Sequence, residues 1–297
     1  MEEQWTILRA LEWTEQRLAR AGEEHPRLAA QMLSSHATGL SRIELYISFD
    51  KPLSEDERTV LRQSIQRRLD GEPLQYIIGS VGFRFLELSV RAPVLIPRPE
   101  TETLVELVLK HLAESESTSP SILDIGTGTG AIALSLLHEL PGCLVYATDC
   151  EEEALALAAE NAEALLGDGA RRLELRRDDL ASSFIADVAS HGHFDVVVSN
   201  PPYIPTAEYE QLPAEILHFE SRTALDGGAD GLEVFRRLAT QAQDLLKPGG
   251  FLALELHEDT LDDAAAFLHG LPYQDIRIHQ DLTERRRFLT AKRENEE

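Results

Sequence analysis

Apolar positions recur at helical spacing through the first seventy or so residues, and then the period changes. Trp5, Ile7, Leu8, Leu11 and Leu18 predict a first helix, and Leu28, Met32 and Leu33 a second one after Pro26. A short stretch at 43–47 follows Gly39. Ser54 with Glu57 forms a capping-box pattern ahead of Val60, Leu61, Ile65 and Leu69, and Gly71 and Pro73 end that helix. Residues 1–73 therefore read as a small helical domain. Between 74 and 97, Tyr76-Ile77-Ile78-Gly79 and the stretch 83–90 are rich in β-formers broken by glycines, which predicts a connecting β-hairpin. Pro93, Pro97 and Pro99 stiffen the exit, and 101–112 follows as a helix with Leu104 and Val108 on one face.

From residue 121 short apolar runs alternate with helical patterns. The expected strands are 122–125, 144–148, 173–176, 196–199 and 251–256; the expected helices are 129–139, 151–166, 232–246 and 259–268. Such alternation implies an α/β, Rossmann-like, doubly wound and mostly parallel sheet over 98–297. Two last strands, 274–279 and 287–291, suit an antiparallel edge.

Composition narrows the choices. A chain of 297 residues with 43% hydrophobic content supports a substantial core, and 28 Lys plus Arg against 52 Asp plus Glu give a formal charge of −24. That charge repels polyanions and argues against a broad nucleic-acid footprint. Arg171, Arg172, Arg176 and Arg177 form one small basic cluster, expected as a solvated strand edge. Cys143 and Cys150 fit neither a disulfide framework nor a zinc site. His191 and His193 read as loop residues, with no acid or cysteine spacing for a metal. Met1-Glu2-Glu3-Gln4 is an acidic start unlike a signal peptide, and no apolar run approaches the roughly 20 residues of a membrane span. A cytoplasmic protein without a membrane partner is expected.

Two constellations carry chemistry. Leu123-Asp124-Ile125-Gly126-Thr127-Gly128-Thr129-Gly130 ends a strand and opens a helix, where glycines let the backbone approach a ligand. Asp149 closes the next strand, suited to ribose hydroxyls, and one of Asp178 and Asp179 suits an adenine amine. Gly126-x-Gly128-x-x-Ala131 also fits a dinucleotide fingerprint, so an NAD-type oxidoreductase competes. S-adenosylmethionine is favoured by Asp124, placed to hold a charged methionine end, by three alternating glycines, and by the absence of an evident hydride-transfer constellation. The second constellation is Val196-Val197-Val198-Ser199 running into Asn200-Pro201-Pro202-Tyr203. Two prolines stop the ladder and stiffen the backbone past the strand, where open α/β sheets bind ligands. An amide beside an aromatic ring suits a planar nitrogen group.

Together, Asp124 to Gly130, Asp149 and Asn200-Pro201-Pro202-Tyr203 resemble class I S-adenosylmethionine-dependent methyltransferases. The wider pattern resembles the release-factor glutamine N5-methyltransferases, the HemK/PrmC family. It includes Gly71-Glu72-Pro73-Leu74-Gln75-Tyr76-Ile77-Ile78-Gly79, Leu95-Ile96-Pro97-Arg98-Pro99-Glu100-Thr101-Glu102, Phe219 to Leu225 and Gly227-Gly228-Ala229-Asp230-Gly231-Leu232. Glu255-Leu256-His257 and 281–287 depart from the family pattern and are expected to lie away from the transfer site.

The resemblance implies methyl transfer from S-adenosylmethionine to the glutamine amide of the Gly-Gly-Gln tripeptide in peptide-chain release factors, by a monomer whose helical domain grips that protein. Under it, the Asn200 side-chain oxygen and the Pro201 carbonyl accept from the amide hydrogens, and Tyr203 stacks on or flanks the amide. Arg98, Glu100, Glu220 and Arg222 are read first as surface ion pairs, and second as a closure over the cofactor or the substrate loop. Methylation of an exocyclic amine in nucleic acid (adenine N6 or guanine N2) is the alternative reaction, and a non-catalytic adenosyl-binding module the third class.

Overall fold

A computed structural model describes residues 5–115, 117–187 and 192–295. The acidic start at Met1–Gln4 and His191 lie outside the described residues. The chain divides into two compact units, with the boundary between Ser80 and Val81.

The first unit is helical: α1 (Ile7–Arg20), α2 (Pro26–Thr38), α3 (Arg42–Ile47), α4 (Glu55–Leu69) and α5 (Leu74–Ile78). Ile7, Ala10, Leu18, Leu33, Leu45, Leu61 and Ile65 turn into its core, while Leu8, Leu28 and Val60 stay exposed. The expected capping box opens α4: Ser54 N donates to Glu57 Oε2 (2.6 Å), and Glu57 N to Ser54 Oγ (3.2 Å). A second one, Ser41 with Glu44, opens α3. The stretch 76–79 corrects the sequence reading. It is not a strand but the end of α5 and its left-handed cap at Gly79 (φ +86°). Both Tyr76 and Ile77 are buried, and packing of Ile77 in the helical core outweighs its β-propensity.

The hairpin that begins at this boundary is shorter than expected, β1 (Ser80–Phe83) with β2 (Leu86–Ser89), and it leads to α6 (Thr101–Ala113). The alternating region follows: β3 (Ser121–Ile125), α7 (Ala131–Glu139), β4 (Leu144–Asp149), α8 (Glu152–Leu166), β5 (Leu173–Arg177), α9 (Ser182–Ala186) and β6 (Phe194–Ser199). Short helices α10 (Thr206–Tyr209) and α11 (Ala214–Phe219) come next, which periodicity over so few residues did not announce. The chain ends with α12 (Glu233–Leu245), β7 (Leu246–Glu255), α13 (Leu261–Leu268), β8 (Tyr273–Gln280) and β9 (Arg286–Arg293).

The large sheet has the order β5-β4-β3-β6-β7-β9-β8. Neighbours from β5 to β7 are parallel, and β9 pairs antiparallel with both β7 and β8, as the sequence implied. Helices cover both faces, so β3 and β6 are buried almost throughout. Each fully buried Val in β6 contributes roughly 1.5–3 kcal/mol, which anchors the strand that presents Asn200. The order of strands reverses between β3 and β6, and at such a switch point the loops diverge and leave a crevice.

Candidate active site

A cavity of about 340 Å³ opens at that crevice, within the roughly 300–1,000 Å³ usual for small-molecule sites. Gly126, Gly128, Asp149, Asp178, Asp179, Asn200 and Pro202 all line it. The turn after β3 is pinned from beneath: Gly126 N and Thr127 N both donate to Thr148 O (2.8 and 2.9 Å). Gly126 (φ +75°) and Gly128 (φ +56°) have left-handed backbones, with open space within 4 Å of where a Cβ would stand. Gly130 does different work. A Cβ there would sit 3.1 Å from Leu134 Cδ1 and 3.3 Å from Ala158 Cβ, so this glycine lets α7 pack closely. Thr127 and Thr129 are buried and absent from the cavity wall.

Asp149 stands at the end of β4. Its Oδ2 accepts from Gly128 N (2.9 Å) and its Oδ1 from Glu151 N (3.0 Å), so each oxygen keeps capacity for a ligand hydroxyl. Burial pushes its pKa up against those two N–H donors. Asp178 accepts from Ser183 N and Oγ (2.9 and 2.6 Å), and Asp179 pairs with Arg237 (2.5 Å). Both carboxylates are thus held by protein partners at the cavity edge.

Asp124 departs from its expected role. It is fully buried beneath the turn, accepts from Thr127 Oγ1 (2.8 Å), and does not line the cavity. Burial pushes its pKa up to about 7, opposed by the Thr127 hydroxyl and the Ala133 N–H. One carboxylate oxygen thus ties to the turn from below, while Oδ1 is buried with no hydrogen-bond partner among the described residues.

Beyond β6, Ser199 Oγ donates to Ile125 O (2.6 Å) and ties the ends of the two central strands together. Asn200 Nδ2 donates to Thr101 Oγ1 (3.2 Å), at the start of α6. Thr101 Oγ1 donates to Glu255 Oε2 (2.7 Å), and Tyr203 Oη to Glu255 Oε1 (3.4 Å). Glu255, expected away from the transfer site, is therefore joined to Asn200 through one hydroxyl. Sequence reading missed it, although an acid embedded in the apolar run Phe251-Leu252-Ala253-Leu254-Glu255-Leu256 is a signal for a buried, partnered carboxylate. Burial raises Glu255 to about 7, against the Thr101 hydroxyl and the Arg287 charge. The same burial, followed by the nearby Glu255, raises Tyr203 as well. Pro201 is buried, and Pro202 faces the cavity; Tyr203 turns its hydroxyl to Glu255, and its ring centroid lies 6.4 Å from that of His257.

The segment 225–231 clamps this loop. Ile204 N donates to Leu225 O (2.9 Å), Gly227 N to Ile204 O (2.8 Å) and Thr206 N to Gly228 O (2.9 Å). A Cβ on Gly227 would meet Gly231 O at 2.7 Å, Tyr203 Cα at 2.8 Å and Pro202 O at 2.9 Å. Arg98 reaches both oxygens of Glu220 (2.7 Å each), and the Glu220 side chain is only 2% exposed. The first reading of those two residues, as a surface pair, is corrected: this bond joins the Pro-rich segment to the chain beyond the Asn200 loop. Arg222 does form a surface pair, with Asp226 (2.8 Å). In the basic cluster, Arg172 caps α7 through Leu137 O (2.8 Å) and Leu140 O (3.1 Å), so it is not a solvated edge residue.

An open glycine cradle with a strand-terminal acid fits the adenosyl part of S-adenosylmethionine, which supplies an electrophilic methyl group when bound. Gly126, Gly128 and Asp149 would hold it, and Asn200 lies on the same wall. The fold and this shared cavity define an S-adenosylmethionine-dependent methyltransferase.

Comparison with known proteins narrows the class. Residues 9–79 match the PrmC N-terminal domain and 101–230 the Methyltransferase small domain. The release factor glutamine methyltransferase of Chlorobaculum tepidum is 39% identical over 98% of this chain and 98% of its own length. That of Moorella thermoacetica is 43% identical over 97% and 99%. The chain belongs to the release factor glutamine methyltransferase family. Among solved structures, the hMettl16 catalytic domain shares the methyltransferase fold at 17% identity, covering 71% of this chain and 76% of its own with a TM-score of 0.54.

Proposed function

We propose that this methyltransferase moves the methyl group of S-adenosylmethionine onto the side-chain amide nitrogen (N5) of the glutamine in the Gly-Gly-Gln motif of peptide chain release factors. One observation carries the reading: the Asn-Pro-Pro-Tyr loop puts an amide on the wall of the cavity that Gly126, Gly128 and Asp149 form. The names of the end-to-end relatives select glutamine over other planar nitrogens.

An amide nitrogen is a poor nucleophile because its lone pair is delocalised into the carbonyl. The protein's contribution is position and charge stabilisation. Asn200 Nδ2 is committed to Thr101, which leaves Oδ1 as a free acceptor. In this reading Oδ1 and the Pro201 carbonyl take the two amide hydrogens and aim the nitrogen's lone pair. Charge building on nitrogen in the transition state strengthens both bonds, and the proton then departs to water. Pro201 and Pro202 keep the loop stiff, and the 225–231 clamp holds it in place. Tyr203 acts from behind through Glu255 rather than by stacking on the amide. Asp178 or Asp179 serves the adenine edge.

The helical unit is proposed to grip the release factor beyond the tripeptide, since a lone glutamine offers little binding surface for positioning. Ile43, Ile47 and Phe49 on that unit are exposed at 73%, 73% and 51%, which gives a folded partner apolar anchors. The protein is read as a monomer that works in the cytoplasm. Among the described residues no helix is long and apolar enough to cross a membrane. The −24 charge disfavours a nucleic-acid acceptor. The test is incubation with methyl-labelled S-adenosylmethionine, release factor and nucleic acid together. Label on the release-factor glutamine is expected; label on bases alone would overturn the reading.

A further inference from the structure

An asparagine amide has two nearly isosteric orientations, and the hydrogen-bond network around it decides which one holds. We propose that Thr101 and Glu255 form a positioning relay that fixes the orientation of the Asn200 amide, so that methyl transfer requires an ionised Glu255. The proposal rests on the reading of Asn200 Oδ1 as an acceptor for the substrate amide.

The relay follows from proton counting. An ionised carboxylate only accepts. Thr101 has a single hydroxyl hydrogen, and it goes to Glu255 Oε2 at 2.7 Å. Thr101 Oγ1 can then only accept from Asn200, so Nδ2 faces Thr101 at 3.2 Å and Oδ1 is left for the cavity. Protonation of Glu255 reverses the chain of donors. The carboxyl O–H donates to Thr101, the threonine hydrogen turns toward Asn200, and the amide rotates to accept it. Nδ2 then points at the N–H groups of an incoming amide, donor against donor, and the acceptor is lost.

Glu255 is 1% exposed, so solvent does not substitute for a missing partner. Tyr203 Oη sits at 3.4 Å on its other oxygen. Arg287, paired with Asp281 at 3.0 Å, favours the ionised form from β9, and Glu100 opposes it from the start of α6. Arg98 bears on the same cluster through Tyr203. Burial places the Glu255 transition near neutral pH.

The chain contains only three asparagines, Asn161, Asn200 and Asn295, so selective 15N-asparagine labelling resolves each side-chain amide. In the full-length protein the Asn200 amide resonance is expected to shift between pH 6 and 8, with Asn200→Ala giving the assignment, and to stay fixed in Glu255→Gln. Turnover on release factor is expected to rise up to about tenfold per pH unit below the midpoint and to level off above it. Glu255→Gln loses that limb. Thr101→Val lowers kcat at least about tenfold, with KM for release factor and the S-adenosylmethionine Kd within about threefold, and Thr101→Ser restores kcat. A purely structural pair would move melting temperature without removing the limb. A limb retained in Glu255→Gln, a static Asn200 resonance in the wild type, or wild-type kcat in Thr101→Val overturns the relay. Retained turnover in Asn200→Ala overturns the acceptor reading itself. An inactive Asn200→Ala beside fully active Thr101→Val and Glu255→Gln sinks the relay alone.

Discussion

Gly227→Ala tests whether the rigidity of the Asn200 loop drives the reaction. The backbone of Gly227 lies outside the left-handed region, so added strain comes from space alone. A methyl there meets three backbone atoms at 2.7, 2.8 and 2.9 Å, where ordinary contact begins near 3.4 Å. None is the end of a flexible side chain, so Pro202 and Tyr203 must retreat by about half an ångström. Overpacking of this kind costs ~1–3 kcal/mol of stability. Misplacement by about 1 Å costs on the order of a hundredfold in rate, so half of it corresponds to about tenfold in kcat. Gly126, Gly128 and Asp149 are untouched, and S-adenosylmethionine affinity is expected to stay within about threefold. Single-turnover transfer of labelled methyl to release factor, calorimetric titration of S-adenosylmethionine and a thermal melt separate the three quantities. Wild-type kcat in a variant destabilised as described would refute the link between loop placement and rate.

Asp149→Ala removes the acceptor of Gly128 N and Glu151 N along with the proposed ribose contact, and S-adenosylmethionine is expected to bind at least about tenfold more weakly by calorimetry. Glu255 has a folded pKa raised to about 7 above an ordinary value of 4.5; its contribution to stability is complete below pH 4.5 and is lost as pH rises through 7, on the order of 3 kcal/mol. Denaturant melts from pH 5 to 8 are thus expected to show falling stability while turnover rises, with a shallower fall in Glu255→Gln. Asp281 is held well below its usual range by Thr283, Arg287 and Arg285 against a burial penalty, so its contribution is present above about pH 4 and disappears as the medium becomes more acidic. Its replacement by Asn is expected to lower stability at pH 7 and to narrow that gap below pH 4. Ser54→Ala removes one half of the α4 capping box and is expected to lower stability by about 0.5–2 kcal/mol, read by urea unfolding, without changing kcat.

Much of the site was legible in the chain because backbone requirements leave marks on sequence. The glycines of the β3–α7 turn, the acid ending β4 and the prolines after β6 each answer a local demand, and the structure brings Gly126, Gly128, Asp149 and Asn200 to one cavity. Local reading failed where the decisive partner lay far along the chain. Asp124 looked like a ligand group because it precedes the turn, yet only packing shows that it lies underneath. Tyr76 and Ile77 looked like a strand, yet both are buried in α5, where Ile77 joins the helical core. Arg98 and Glu220 are 122 positions apart, and nothing in either segment announces that one buries the other's charge.

Sequence alone determined the alternation of the main strands and helices, the direction of the sheet and the chemistry offered at its switch point, since hydrophobic period, glycine and proline all act over a few residues. Tertiary structure decided which way the Asn200 amide points. That choice depends on a hydroxyl from α6 and a carboxylate from β7, 99 and 154 positions removed from their partners, which meet only when the sheet closes over them.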